Sequence, residues 1–384
     1  MRPMTSDPIA VTGLGMISSL GHDVVTSCAA ARAGLTRRTE LDTFSVYSEQ
    51  EWSEVPVIGH TVAGYSDGFE GVGKLVRLAS AALSNLIDYA KLTAVDFSRT
   101  GLYLNLPSGY YQNAYSSKRT DGESSPDGEA SAGIDLKEYC RTALANHVAA
   151  LNGLVLPSST PVLFGDHAGV AAAIMDVSRR LEAGEQHAYV VGGIDSCVET
   201  DFLQAAWSLG VLKDDEHPIA FIPGEAAAFV LLEPLSRARA RGARIEATIE
   251  GANLARESCH RLSGDPSLGV ALAGTIAATL EELPDKGRHT GLAIGDLNGD
   301  SFRAAEWGYA IVRLLQRYPW LQDQQQWYPA ATFGEVGAAT GTVGICMAVR
   351  AFARNYAGTD QVLLWLSSDD GRKGSLYLRN YRSN

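Results

Sequence analysis

Two stretches of this chain repeat one pattern. "FGDHAGVAAAIMDVSRRLEAGEQHAYVVGGIDS" begins at Phe164, and "FGEVGAATGTVGICMAVRAFARNYAGTDQVLLWLSS" begins at Phe333. Each opens on Phe-Gly-acid, continues as a helix dominated by small residues, and ends through a short linker in an apolar strand. A helix of Ala and Gly packs closely on every side, so both helices are expected to be central and buried. Strand–helix alternation repeated over two halves predicts a duplicated α/β fold. A chance likeness between two αβ units is the alternative reading.

The rest of the chain follows the same alternation. "PIAVTGLG" (8–15) reads as a strand running into a glycine turn. "GKLVRLASAALSNLIDYAKL" (73–92) carries apolar residues at helical spacing, and "RTGLYLNL" (99–106) reads as a strand. Residues 112–133 are polar and rich in Gly and Ser, which predicts a flexible surface loop. "LKEYCRTALANHVAALNGL" (136–154) reads as helical. "AAAFVLLEPLSRARARG" (226–242) is a strand followed by a short basic segment. "QVLLWLSSDDGRKGSLYLRN" closes the chain as a hairpin.

Composition narrows the function classes. With 384 residues the chain holds two or three domains or one large duplicated fold. A net charge of −12 argues against non-specific nucleic-acid binding, which needs clustered Lys and Arg. No apolar run is long enough to cross a membrane, and no signal peptide is visible at the start. The five cysteines are scattered, with no paired spacing for zinc. Reduced thiols in a cytoplasmic protein are the expectation. Gly13 and Gly15 lack the third glycine of a dinucleotide loop, because Ser18 stands there. No cofactor and no resident metal are expected.

Several of these segments carry a family likeness. "VTGLGMISSLGHD" (11–23), "LEAGEQHAYVVGGID" and "PGEAAAFVLLEPLSRARARGARIEATIEG" (223–251) resemble segments of the β-ketoacyl-acyl-carrier-protein synthases, in the same order along the chain. The resemblance implies an α/β thiolase-like fold, two duplicated βαβαβαββ halves stacked in five layers. It places the first half at 1–240 and the second at 241–384. It also implies dimerisation through the first half, with "TPVLFG" as the strand that pairs across the two-fold axis.

The resemblance assigns the reactive positions as well. Condensing enzymes carry the acyl group on a cysteine thiolate at a helix N-terminus. Counting back from "YVVGG", that position falls on His167, and the nearest cysteines in the sequence are Cys140 and Cys197. The first histidine motif reads Asn298-Gly299-Asp300. In the second motif the histidine position holds Glu335, and the helper lysine position holds Ala330. The gating loop reads "SSDDGRKG", with Asp369 and Asp370 where Phe and Gly are expected. The acidic residue eight positions after the first histidine persists as Glu306. His167, Asn298 and Glu335 should meet in one cavity, where a positive helix end would favour a neutral imidazole.

Three readings follow. The first is a non-catalytic thiolase-like protein that acts as a binding, scaffold or adaptor subunit, including an accessory role in loading type VI secretion effectors. A chain-length-factor-like partner of a fatty-acid or polyketide synthase is its variant, although such partners generally keep more of the pocket. The second is an enzyme with new chemistry, His167 serving as general base oriented by Glu335. A metal held by Asp166, His167, Asp300 and Glu335 is a sub-case. The third is a conventional acyltransferase with Cys197 as nucleophile. Homodimer and heterodimer are both open, a protein partner is expected, and acyl carrier protein is a partner only in the synthase readings.

Overall fold

The computed structural model describes residues 7–120, 136–154, 156 and 160–382. Among these residues twelve strands form: β1 Ile9–Ser18, β2 Thr39–Ser48, β3 Ser53–Gly59, β4 Thr100–Leu106, β5 Val162–Phe164, β6 Ala188–Ser196, β7 Glu225–Pro234, β8 Ala247–Arg256, β9 Leu292–Gly295, β10 Gln325–Trp327, β11 Gln361–Ser367 and β12 Arg372–Asn380. Ten of them join in the order β10-β9-β11-β12-β8-β1-β7-β6-β4-β5, and β2 pairs with β3 separately.

The duplication is written in that order. Outward from the middle, one side runs β1-β7-β6-β4-β5 and the other runs β8-β12-β11-β9-β10. The pairings match one for one. The two innermost pairs are antiparallel on each side, β7 with β6 as β12 with β11, and β4 lies parallel to β6 and β5 as β9 does to β11 and β10. The two halves touch edge to edge where Ile9, Ala10 and Val11 pair with Ile249, Thr248 and Ala247.

Helices fill three layers around the two five-stranded halves of this sheet. Gly71–Ala90 covers the outer face of β1, β6 and β7, and Val270–Glu281 covers that of β8, β11 and β12. Between the sheets lie the two helices of the repeated pattern. The first central helix, Gly169–Glu182, packs on β4 and β6 of one half and on β8 and β12 of the other. The second central helix, Thr340–Ala353, packs on strands of both halves, and every residue from Thr340 to Phe352 is buried. Its small residues make this possible. A Cβ on Gly341 would lie 2.0 Å from Val170 Cγ1 of the first central helix. The layers therefore run helix, sheet, helix pair, sheet, helix, as the resemblance implied.

Two local expectations change. Gly13 and Gly15 do not open a turn; β1 runs through both. Their role is close approach, because a Cβ on Gly15 would meet Ala82 O at 2.2 Å in the helix Gly71–Ala90. The loop expected from residue 112 begins instead as a helix, Tyr110–Thr120. Its polar composition hid the helix, since its anchors are Tyr110 and Tyr111 at the first turn, which pack against Phe202 and His260. Residues 121–133 of that expected loop lie outside the described residues. The closing hairpin forms as read, with Gln361 opposite Arg379 and Ser367 opposite Lys373.

Candidate functional site

The repeated pattern brings the two Phe-Gly-acid turns together. Each precedes a central helix, so their side chains meet where both helices begin. His167 Nε2 stands 2.7 Å from Glu335 Oε1, and both residues are buried. Asn298 Nδ2 donates to the other carboxylate oxygen at 2.6 Å, and Gly337 N donates to Oε1 at 2.8 Å. The three residues expected to meet do meet, through Glu335.

A fourth member was not visible in the sequence. Arg303, 2% exposed, donates through Nη1 to Asp296 O at 3.1 Å and through Nη2 to Asp369 at 3.0 Å. The same Nη2 faces His167 Nδ1 at 3.3 Å. Arg303 sits in the first turn of the helix Ser301–Leu315, whose N-cap Asp300 takes its backbone N–H. A cation at a helix N-terminus opposes the macrodipole, so buried carboxylates must offset it. That mismatch is the one signal the sequence offered.

Asp369 does not face a reacting centre as bare negative charge. It bridges Arg303 and Arg261, at 3.1 Å from the latter, and accepts the Tyr111 hydroxyl at 2.6 Å. Arg261 also pairs with Asp300. Behind this layer Glu306 pairs with the fully buried Lys373 at 2.8 Å. Asp370 turns away to Arg372.

The electrostatics follow from burial against these partners. Burial raises the Glu335 carboxyl, but His167 and Arg303 outweigh it and bring it down to about 2. Burial likewise raises Asp369, and Arg303 and Arg261 carry it well below the carboxylate range. Burial and Arg303 push the His167 imidazole down, while Glu335 and Asp296 push it up; the net direction is up. This corrects the neutral imidazole expected from a helix end. The carboxylate 2.7 Å away is stronger than the dipole. Asp195, at the end of β6, takes bonds from Ala338 N and Ser196 N at 2.8 Å, yet burial still pushes it up to about 7.

The open space beside His167 is small. A cavity of about 40 Å³ has Tyr110, Tyr111, Asp166, His167, Asp195, Cys197, Phe202, Phe221, Glu335 and Asp369 in its lining. That volume holds a few waters at most. Cys197 shares the wall, but burial, then Asp195, Glu335 and Asp166, push its thiol well above the ordinary range. It is a protonated thiol at a strand end, not a thiolate at a helix N-terminus. The four proposed metal ligands do not converge. Asp300 is committed to Arg261, and Asp166, held at φ 47°, accepts Ser108 N at 2.7 Å. Among the described residues no group of three or more His, Cys, Asp or Glu could hold a metal ion.

Both ring nitrogens of His167 are occupied. Nε2 meets Glu335 and Nδ1 meets Arg303, so neither has a line to a substrate proton.

Known proteins share this architecture. Residues 6–238, more than half of the chain, match the family described as Beta-ketoacyl synthase, N-terminal domain. The 3-oxoacyl-[acyl-carrier-protein] synthase 2 of Mycobacterium bovis is 24% identical over 322 residues, covering 75% of this chain and 74% of that protein. The protein of the same name from Mycobacterium leprae is 23% identical over 319 residues, covering 75% and 73%. Among solved structures, a type II PKS acyl-carrier protein in complex with its ketosynthase bound to the hexaketide superposes with a TM-score of 0.76 at 15% identity, covering 99% of this chain and 100% of that one. The ishigamide ketosynthase/chain length factor gives 0.74 at 18% identity, covering 98% and 100%. Among the described residues no helix is long and apolar enough to cross a membrane. A duplicated thiolase-like sheet order, two central helices that meet at one polar cluster, and a family match over most of the first half place this chain in the β-ketoacyl synthase family.

Proposed function

We propose that this chain is a non-catalytic member of its family and works as a cytoplasmic binding or adaptor subunit. The single observation that carries this reading is the occupation of both His167 nitrogens, by Glu335 at 2.7 Å and Arg303 at 3.3 Å. A residue at the nucleophile's position that is bonded to Glu335 on one side and covered by the Arg303 guanidinium on the other, beside a cavity of about 40 Å³, has no room for an acyl chain and no free base. The aromatic cap agrees. Tyr111 is bonded to Asp369 at 2.6 Å and packs edge-on against Phe202 at 5.7 Å.

The partner is a protein. A pocket with no room for an acyl chain favours an adaptor, and we propose loading of type VI secretion effectors as its form. A second reading is a subunit that pairs with an active synthase, and the fold likeness to a ketosynthase/chain length factor supports it. Self-association is part of the proposal. β5 lies at the end of the sheet and offers its edge for pairing with a second chain. Light scattering is expected to give twice 40.9 kDa, and a monomer at micromolar concentration would remove this part of the reading.

The deciding experiment mixes the purified chain with acyl- and malonyl-loaded carrier protein. Intact mass is expected to stay unchanged, with no acyl group transferred to any side chain. Transfer to a cysteine would overturn the reading. Co-purification with the products of adjacent genes then separates the partners: secretion spike and toxin for the adaptor, ketosynthase and acyl carrier protein for the synthase partner.

A further inference from the structure

At the opposite end of β4 from His167, about 20 Å away along seven strand residues, three basic side chains crowd together, none of them in an ion pair among the described residues. A cleft of about 500 Å³ opens between the starts of β4 and β6 and the end of β7. Its lining includes Arg99, His187 and Arg237, together with Arg241, Asp96 and Glu233.

The carboxylates of the cleft are already committed. Glu233 accepts Arg241 Nε at 2.8 Å and the Thr12 hydroxyl at 2.5 Å. Asp96 is held by Thr93, whose N and hydroxyl donate at 2.8 and 2.7 Å. Arg99 and Arg237 are different. Among the described residues neither guanidinium forms an ion pair. Arg237 donates to His187 Nδ1, and the His187 backbone N donates to Arg99 O at 2.9 Å, which holds the three residues together. Because Nδ1 accepts, the imidazole is neutral and its Nε2 carries a proton that can be donated. Burial, then Arg237 and Arg99, push His187 below its ordinary value. In a chain with 44 acidic residues against 32 basic ones, two unpaired guanidiniums around a neutral imidazole ask for an external anion.

We propose that Arg99, His187 and Arg237 form a binding site for a phosphate group carried by a small molecule. Two guanidinium forks and one imidazole N–H supply donors to a phosphate's oxygens, and charge-assisted bonds of this kind are about twice as strong as neutral ones. Ser98 and Thr100 line the same cleft. Leu92, Ala188 and Leu231 give it an apolar wall beside the cationic one, which fits an organic group attached to the phosphate. The site lies apart from the His167 cluster and is independent of the function proposed for that cluster.

The test is calorimetric titration of the full chain with inorganic phosphate and with phenyl phosphate, in chloride near 0.15 M so that non-specific attraction is screened. Saturable binding of one ligand per chain is expected, weakened about 10-fold by Arg237→Gln and by Arg99→Gln, as loss of one charge-assisted bond predicts. Both side chains are exposed, so the variants should keep the parent's thermal midpoint. On binding, the His187 ring resonance should titrate at higher pH, identified by its loss in His187→Gln. Tighter binding of phenyl phosphate assigns the site to a phosphorylated small molecule; tighter binding of inorganic phosphate assigns it to the free ion. Absence of saturable binding by either probe at tens of millimolar, or binding unchanged in both arginine variants, overturns the proposal.

Discussion

His167 and Glu335 face each other at 2.7 Å across 168 residues of sequence. Glu335 is the acid of the second Phe-Gly-acid turn, and His167 follows the acid of the first. The bond therefore ties the two halves at the point where both central helices start. A buried pair of this kind gains little over an apolar one while both partners are present, but its loss leaves charge stranded.

Glu335→Gln should accordingly be costly. It removes the anion that faces His167, Arg303 and Asn298, and leaves Arg303 with Asp369 and Asp296 alone. We expect a loss of about 3–5 kcal/mol, the range for breaking one side of a buried pair. The urea midpoint of the variant against the parent measures it. A change under about 1 kcal/mol, the scale of a surface pair, would mean that the cluster is hydrated and not buried.

Stability should peak on the acid side of neutrality. Glu335 is held down to about 2, so its contribution is present above the ordinary carboxylate value and is lost as pH falls through about 2. His167 moves the other way. Its raised value means the contribution is full below about 6.5, the unfolded value, and is lost as pH rises through the folded one. Asp195, pushed up to about 7, prefers its proton in the folded chain, so it too withdraws stability as pH rises from the ordinary value towards 7. Thermal midpoints from pH 3 to 9 should decline on the alkaline side, and the decline should shrink in His167→Gln. A midpoint rising steadily from pH 5 to 8 would contradict this.

Most of the fold was legible because it is written in period and repetition. The helix Gly71–Ala90, β4, β6 and the closing hairpin show themselves by apolar spacing, and the echo at Phe164 and Phe333 announced the matched sheet order. The site was legible only in part. His167, Asn298 and Glu335 could be located by counting from motifs, since motif spacing fixes which residues begin the helices. Their partners could not. Arg303, Arg261 and Tyr111 reach the cluster through side-chain length and packing from three separate segments, and no local pattern marks such a reach. Asp369 shows the consequence. Read by position, it is a residue of the gating loop standing where Phe is expected; in three dimensions it is the counter-ion of two arginines.

Gly15 tests the packing of the outer helix on β1. A methyl group there would lie 2.2 Å from Ala82 O and 2.6 Å from Leu86 N, both backbone atoms that cannot rotate away. Gly15→Ala should lower stability by about 1–3 kcal/mol, the ordinary cost of overpacking a filled interior. Gly274→Ala is the control, because a Cβ there meets nothing within 4 Å, and in a helix interior alanine is favoured by about 1 kcal/mol. Equal midpoints for the two variants would show that β1 and the helix are not in close contact.

Activity is the sharpest expectation. Condensation needs a thiolate, and malonyl decarboxylation needs donors aimed at a developing enolate oxygen. Cys197 is the one thiol in the cavity wall, and burial with three carboxylates keeps it protonated. Asn298 spends its amide on Glu335 at 2.6 Å, and Arg303 spends its guanidinium on Asp369, Glu335 and Asp296 O. Removing one oxyanion donor costs about 10²- to 10³-fold in other enzymes, and here Asn298 Nδ2 and both Arg303 Nη atoms already face protein acceptors. We therefore expect no condensation product and no CO₂ release from malonyl carrier protein. His167→Cys should not restore turnover: the new thiol would face Glu335, whose charge raises its pKa, in a cavity of about 40 Å³ lined by Tyr111. Loss of CO₂ from malonyl carrier protein, measured with labelled substrate and abolished by Asn298→Ala, would show that the cluster can open to substrate and would move the enzyme reading to first place.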